Sequence, residues 1–461
     1  MTGLRKTIIT RIGLLFFMLL QTAYVVYACM HHNMTDLHYF RFDSMGILFL
    51  CVLTLITYLT TFYGNIYLSA YPETERNTAF FWASFIMLVI FVTGVYLTNH
   101  AGLLWVFVEG TTLCVALLIY HRRTTLSIEA TWKYVFICST GIALAFIGIL
   151  FIALALQNNK IHDLTFHAMR SAMQGMNMLW LKVAFLFLLV GFSTKMETFP
   201  MQPIAIDANA VAPSPISAFI STALMNAGFL ALFRFYMLFS TTEIFPWIQK
   251  ILFWTGVGSI VISAVYMLSV HHLKRLSAYS SLEHAGIVCL GLACGGIGYY
   301  AALLHLALHS LTKAGLFYHF ELLEKSYKTF NVKNISNYLS VHFSGSMVFF
   351  MLMLMIAAIP PSGMFMTKLY VLSTLLTTGH YGIFFGIVVL MAIIVYALIK
   401  NTLSIVFAKK DHALDSPSTG NAYSWYLLIP QIALIFLVII LGYFTPETIR
   451  TLIYDAISLL P

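Results

Sequence analysis

Charge is scarce in this chain. Of 461 residues only 9% are Asp, Glu, Lys or Arg, against roughly a quarter in soluble domains. An ordinary water-soluble fold is excluded. Cysteine is sparse as well: Cys29, Cys51, Cys114, Cys138, Cys289 and Cys294 are scattered through apolar stretches, with no CxxC pair. That argues against a disulfide scaffold, a zinc site or an iron–sulfur cluster. No GxGxxG and no Walker stretch occurs, so no nucleotide site is expected. No cofactor and no metal are expected on this chain.

What is abundant is apolarity. Hydrophobic residues make up 60% of the chain, and apolar runs of about 20 residues, the length that crosses a bilayer, recur from end to end. Only helices satisfy their own backbone hydrogen bonds in lipid without closing into a barrel. The expected fold is therefore an all-α polytopic membrane protein. Thirteen spans are predicted, near 7–29, 45–69, 78–98, 101–121, 129–156, 172–199, 213–239, 248–270, 277–296, 298–322, 343–378, 382–408 and 424–445. The first resembles a secretory signal, LRKTIITR followed by an apolar run ending in YAC, and is expected to stay as an uncleaved helix.

The net charge of +8 is read by position, not as nucleic-acid affinity. With the N-terminus in the cytoplasm, the inner loops receive Arg5, Lys6, Arg11, Arg76, Arg122, Arg123, Lys274, Arg275, Lys325, Lys328, Lys333, Lys409 and Lys410. The outer loops receive Arg41, Lys160, Arg170 and Arg450. This bias follows the positive-inside rule and puts the C-terminus outside.

Eight basic residues fall within or beside spans: Lys133, Lys182, Lys195, Arg234, Lys250, Lys313, Lys368 and Lys400. Lys133 and Lys250 lie near span ends, where a long side chain reaches the interface. A charge deeper in the membrane costs at least about 2.5–3.5 kcal/mol and usually faces a polar interior that serves transport. Glu109 and Glu283 are the deep acidic residues.

Two stretches pair a lysine with helix-breaking residues: LLVGFSTKMETFPMQPIAIDANAVAPSP at 188–215 and AIPPSGMFMTKLY at 358–370. They share the string F-x-T-K, ending at Lys195 and Lys368, on spans predicted to run in opposite directions. Matched interrupted helices of opposite sense indicate inverted repeats with an ion site at the breaks. A third stretch, LHLALHSLTKAGLFYHF, spaces His305, His309 and Lys313 four apart, in one column of a helix. A lysine held away from water releases its proton more readily, and a nearby carboxylate opposes that. Histidine titrates near neutral pH and can relay between such groups. By contrast a lone histidine such as His284 or His319 reads as a helix-packing residue.

These motifs carry a resemblance. LLWVFVEGTTL (103–113), EATWKYVFICSTGIALA (129–145), LLVGFSTK (188–195), APSPISAFIS (212–221), LSAYSSLEHAGIVCLGLA (276–293), HSLTKAGLF (309–317) and IPPSGMFMTK (359–368) are similar to motifs of a superfamily. Its members are the antiporter-like, proton-translocating membrane subunits of respiratory complex I, of Mrp antiporters and of membrane-bound nickel–iron hydrogenases. The hydrogenase-4 component F branch is the most similar. The resemblance implies two inverted five-helix repeats with interrupted helices, here 78–240 and 241–410. Transmembrane helices at 1–77 would precede them, and a helix and tail at 411–461 would follow. It implies Glu109 as the charge-pair glutamate, Lys195 as the first broken-helix lysine and Lys313 as the central lysine. It also implies His305 and His309 as relay groups and Lys368 as the terminal ionisable residue. Secondary candidates are Lys133, Lys182, Asp207, Arg234 and Glu283. The family loop P-M-H-T-W-L-P-D-A-H is PMQPIAIDAN here, with Gln202 and Asn209 in place of both histidines while Asp207 remains.

The function so implied is proton translocation in a bacterial cytoplasmic membrane, without redox catalysis by this chain. Its partners would be other membrane subunits and peripheral iron–sulfur or metal-containing subunits of a redox complex, of hydrogenase or NADH/quinone oxidoreductase type. Two alternatives stand beside it. One is an Mrp-type cation/proton antiporter subunit, which could also carry Na⁺. The other is a proton-driven membrane partner of an inorganic-carbon uptake protein.

Overall fold

A computed structural model describes residues 2–70, 74–157, 163–173, 175–408 and 423–461, the side chains of residues 2–9 and 75 aside. Lys160, Lys409 and Lys410 of the charge tally, and the side chains of Arg5 and Lys6, lie outside what is described. The described residues form nineteen α-helices. The first half contains α1 (Thr2–Met30), α2 (Ser44–Ala70), α3 (Glu75–Leu97), α4 (Ala101–Ile119), α5 (Thr125–Gln157), the short α6 (Phe166–Ala172), α7 (Met178–Met196), α8 (Pro203–Val211), α9 (Ser214–Phe219) and α10 (Met225–Phe239). The second contains α11 (Phe245–Met267), α12 (Leu273–Cys294), α13 (Ile297–Tyr327), α14 (Tyr338–Val341), α15 (Phe343–Ile356), α16 (Gly363–Thr377), α17 (Tyr381–Val406), α18 (Ile429–Tyr443) and α19 (Glu447–Ile457). One two-stranded ribbon, Thr35–Asp36 with Phe40–Arg41, lies between α1 and α2.

Each predicted span falls on a helix or a pair of helices. Ten are long and apolar enough to cross a membrane by those criteria alone. The thirteen read from sequence include three more segments: α12 and α13, whose polar residues dilute their hydropathy, and the interrupted pair α15–α16. The molecule is a multi-pass integral membrane protein. Its outer helices expose apolar side chains: Phe16 and Leu19 on α1, Phe385 and Val389 on α17 and Phe436 on α18 are all at least 60% exposed. At the centre, α13 is buried continuously from Gly298 to Glu324. The rod from Ser214 to Phe239 is wholly buried across its apolar window and contains a π-helical turn at Ile220–Leu224.

Lipid supplies little hydrophobic drive between helices, so close packing at small residues takes its place. α7 meets α5 at Gly191, where an added Cβ would lie 2.5 Å from Ala145 Cβ and 2.7 Å from the Gly141 carbonyl. α11 meets α12 at Gly256 and Gly286, where each would meet the other's carbonyl at 2.8 Å.

Both expected breaks are present. α7 ends at Glu197, which takes the left-handed conformation (φ +60°), and the chain resumes as α8 at Pro203. α15 ends before Ala358 (φ +53°), and Ser362 caps α16 through a bond from the Met364 amide (3.3 Å). Proline lacks the amide proton an uninterrupted helix needs, and Pro200, Pro203, Pro360 and Pro361 occupy these breaks.

Candidate functional site: a buried polar axis

At the first break, Lys195 sits in the last turn of α7, 3% exposed. Its ammonium donates to Tyr134 Oη of α5 at 3.0 Å. Glu109, on α4, is half-buried and accepts from Ser139 Oγ at 2.7 Å. The Glu109–Lys195 pair implied by the resemblance is thus not in contact here, although the two lie within electrostatic reach. Each group has a neutral hydroxyl as its nearest hydrogen-bond partner.

At the centre, Lys313 of α13 is fully buried. It donates to the Ser277 carbonyl, to Ser277 Oγ (2.9 Å) and to Ser280 Oγ (2.7 Å), all on α12. Three acceptors around one ammonium satisfy every proton it carries. One turn before it on α13, His309 is buried with neither ring nitrogen bonded among the described residues. Its ring centroid lies 4.9 Å from that of His284 on α12.

At the second break, Lys368 of α16 pairs with Glu283 of α12 at 2.8 Å, the two side chains being 5% and 1% exposed. Next to Glu283, His284 Nε2 faces the Ile356 carbonyl at 3.0 Å, and its Nδ1 faces His305 Nε2 at 3.0 Å. A carbonyl only accepts, so Nε2 carries the His284 proton. Nδ1 of the neutral ring is then the acceptor, and His305 donates to it. His305 Nδ1 in turn meets Thr367 Oγ1 at 2.7 Å, one residue before Lys368. His284, from a different helix, therefore hydrogen-bonds His305 and sets its ring against His309, while Lys313 is held by the serines of α12.

The secondary candidates divide. Glu283 is buried in the cluster at the second break, paired with Lys368. Arg234 of α10 holds Asp43 at 2.6 Å and the Tyr96 carbonyl at 2.6 Å, a structural clamp beside a cavity of about 690 Å³. Asp207 is bound by Arg275 at 3.1 Å, at an exposed position. Lys133 pairs with Glu129 at 2.5 Å along the exposed face of α5. Lys182 lies over the Trp247 ring, 5.6 Å from its centroid.

Sequence reasoning passed over several groups. His284 looked solitary because its partners are 21 and 72 residues away. Glu197 is 2% exposed and accepts from Asn209 Nδ2 at 3.1 Å. Two residues assigned to inner loops are drawn into the bundle. Lys274, the second residue of α12, is fully buried and donates to the Ala212 carbonyl (2.7 Å), at the turn between α8 and α9. Arg122 makes a two-pronged bond with Glu324 of α13 at 2.8 and 3.0 Å. Clustered charge and a turn carbonyl explain why neither behaves as a free loop cation. Outside the spans, burial pushes the His272 imidazole down to about 4, with Lys274 and Arg275 adding to the effect.

Comparison with known proteins agrees with this architecture. Residues 98–394 match the family described as NADH:quinone oxidoreductase/Mrp antiporter, TM. A hydrogenase-4 component F homolog from Methylacidiphilum infernorum is 30% identical over 346 residues, 73% of this chain and 72% of that one. A chain of the Mrp complex from Dietzia sp. DQ12-45-1b superposes with TM-score 0.80 at 16% identity, covering 99% of this chain and 93% of that one. A chain of the membrane-bound sulfane sulfur reductase, an archaeal respiratory membrane complex, does so with TM-score 0.83 at 19% identity, covering 99% and 95%. At these identities the structural neighbours establish the fold; both come from multi-subunit membrane complexes. The chain belongs to the NADH:quinone oxidoreductase/Mrp antiporter transmembrane family and is an antiporter-like membrane subunit.

Proposed function

We propose that this subunit carries protons across a bacterial cytoplasmic membrane, with its N-terminus inside. The path is a mid-membrane axis running from Glu109 and Lys195 through Lys313, His309, His284 and His305 to Glu283 and Lys368. The observation that carries this reading is the buried series on α12, α13 and α16, where ammonium, imidazole and carboxylate groups meet across three helices. Buried charge of this kind is costly and usually serves transport. The two breaks, each with its lysine, support division into inverted halves at 78–240 and 241–410. Replacing Lys313 by Ala is expected to abolish coupled proton uptake in vesicles while the complex still assembles. Unchanged uptake would remove the axis as the route.

The driving partner is proposed to be a redox complex with peripheral iron–sulfur or metal-containing subunits. The relative named as a hydrogenase-4 component F homolog favours this. Protons are favoured over Na⁺ because the carboxylates Glu109, Glu197 and Glu283 lie in separate clusters, with Ser139, Asn209 and Lys368 respectively. Purification from native membranes in mild detergent, with mass spectrometry of what co-purifies, tests the assignment. A nickel–iron or quinone-reducing subunit is expected. Small antiporter subunits alone, or a soluble zinc protein, would replace the redox reading with cation exchange or inorganic-carbon uptake.

A further inference from the structure

Glu197 is poorly matched to its place in the fold. It occupies the C-cap of α7 with φ +60°, a conformation suited to glycine or asparagine. A carboxylate there also faces the negative end of the helix dipole, which disfavours it. It is 2% exposed, and among the described residues its Oε2 has no hydrogen-bond partner. Its other oxygen is held by Asn209 Nδ2 at 3.1 Å. More orphaned polar atoms surround it: Thr198 Oγ1, Asn209 Oδ1 and Ser281 Oγ are likewise buried and unpaired among the described residues. The Ser281 hydroxyl lies close to the carboxylate without a formed hydrogen bond. Buried polar groups are nearly always paired, so a cluster of exceptions calls for a reason.

The same face of α12 leads to Lys313. Ser277 and Ser280 receive its ammonium, and Ser281 follows directly in sequence. Glu197 and Lys313 are within electrostatic reach of each other. We propose that Glu197 is a proton-exchanging group of the axis, linked to Lys313 through the serine hydroxyls of α12. In the step, an N–H bond of the Lys313 ammonium breaks and an O–H bond forms at Glu197 Oε2. The hydroxyls accept one proton and release another in passing, and no electrons move. Ammonium and carboxylate become amine and carboxylic acid. In an apolar interior the loss of two opposite charges offsets much of the lost attraction, so both forms are accessible. Glu197 follows Lys195 by two residues, and the step therefore couples the first break to the centre of the molecule.

This inference rests on the proton-transport reading and is tested so that the two can fail separately. Native vesicles containing the whole complex are given an imposed pH gradient, and proton uptake is followed with a pH-sensitive dye. Lys313→Ala, Glu197→Gln, Glu197→Asn and Glu197→Asp are compared. Gln keeps an acceptor for Asn209 and Asn suits the left-handed backbone, so both should fold. The expected result is at least a tenfold loss for Lys313→Ala and for both amides, with uptake largely retained in Glu197→Asp. Loss in Lys313→Ala but not in the amides would overturn the role of Glu197 and leave the axis standing. Normal uptake in all four would overturn the axis. In parallel, the infrared difference spectrum across a pH step should show a carboxylic C=O band that disappears in Glu197→Gln. An unchanged band set would show that Glu197 takes up no proton, whatever the transport result.

Discussion

Removing the Lys368 ammonium should destabilise the protein far more than removing its ion pair altogether. Lys368 and Glu283 meet at 2.8 Å with side chains 5% and 1% exposed, so neither has water to fall back on. Lys368→Met leaves Glu283 as an uncompensated charge among apolar helices. Breaking a buried pair from one side costs about 3–5 kcal/mol, between two and nearly four powers of ten in a folding equilibrium. Lys368→Met combined with Glu283→Gln leaves no charge, and Gln retains an oxygen and gains donors for its surroundings. Swapping a whole buried pair for neutral groups of similar size is often close to neutral. The double variant should therefore lie within about 1 kcal/mol of wild type, giving a coupling of at least about 2 kcal/mol. Denaturant and thermal unfolding of the purified complex in one detergent, for wild type, both single variants and the double, provide the cycle. Transport should be absent from both Lys368 variants, which separates stability from function. A double variant no more stable than Lys368→Met alone would refute the argument, because the pair would then not be the source of the cost.

Three further predictions follow from individual contacts. His284→Leu leaves His305 Nε2 and the Ile356 carbonyl unpaired, costing about 1–3 kcal/mol for each group, and proton uptake in vesicles should fall at least tenfold. Gly191→Val forces side-chain atoms into the 2.5 Å space beside Ala145. It should cost about 1–3 kcal/mol or more, read as a lower unfolding midpoint of the extracted complex. His272 is held neutral by burial, down to about 4 in the folded chain against an ordinary 6.5. Between those values the unfolded chain binds the extra proton. The stabilising contribution is thus complete above about pH 6.5 and is lost as pH falls toward 4, at about 1.4 kcal/mol per pH unit. His272→Gln should flatten that part of the stability–pH curve.

Periodicity and composition carry the helices, because a span long enough for a bilayer leaves a run that nothing else in the chain imitates. The breaks were equally legible. Proline beside a lysine, as at Lys195–Pro200 and Pro361–Lys368, is a local statement about backbone hydrogen bonds and needs no tertiary knowledge. What sequence could not supply was the partner of each charge. The spacing of His305, His309 and Lys313 fixes a shared face of α13, yet their neighbours come from α12: His284 beside the two histidines and Ser277 and Ser280 around Lys313. Lys274 follows the same logic in reverse. Its neighbours read as an inner loop, yet it is buried, with the turn after α8 delivering the Ala212 carbonyl to it and the Phe330 ring beneath it. Glu109 and Lys195 mark the limit most plainly. Both could be named from their segments, but not the partner each one has in the folded chain. In this structure Ser139 binds Glu109 and Tyr134 binds Lys195. For the transport proposed above, a pair locked together would hold its proton, and a pair without alternative partners could not come apart.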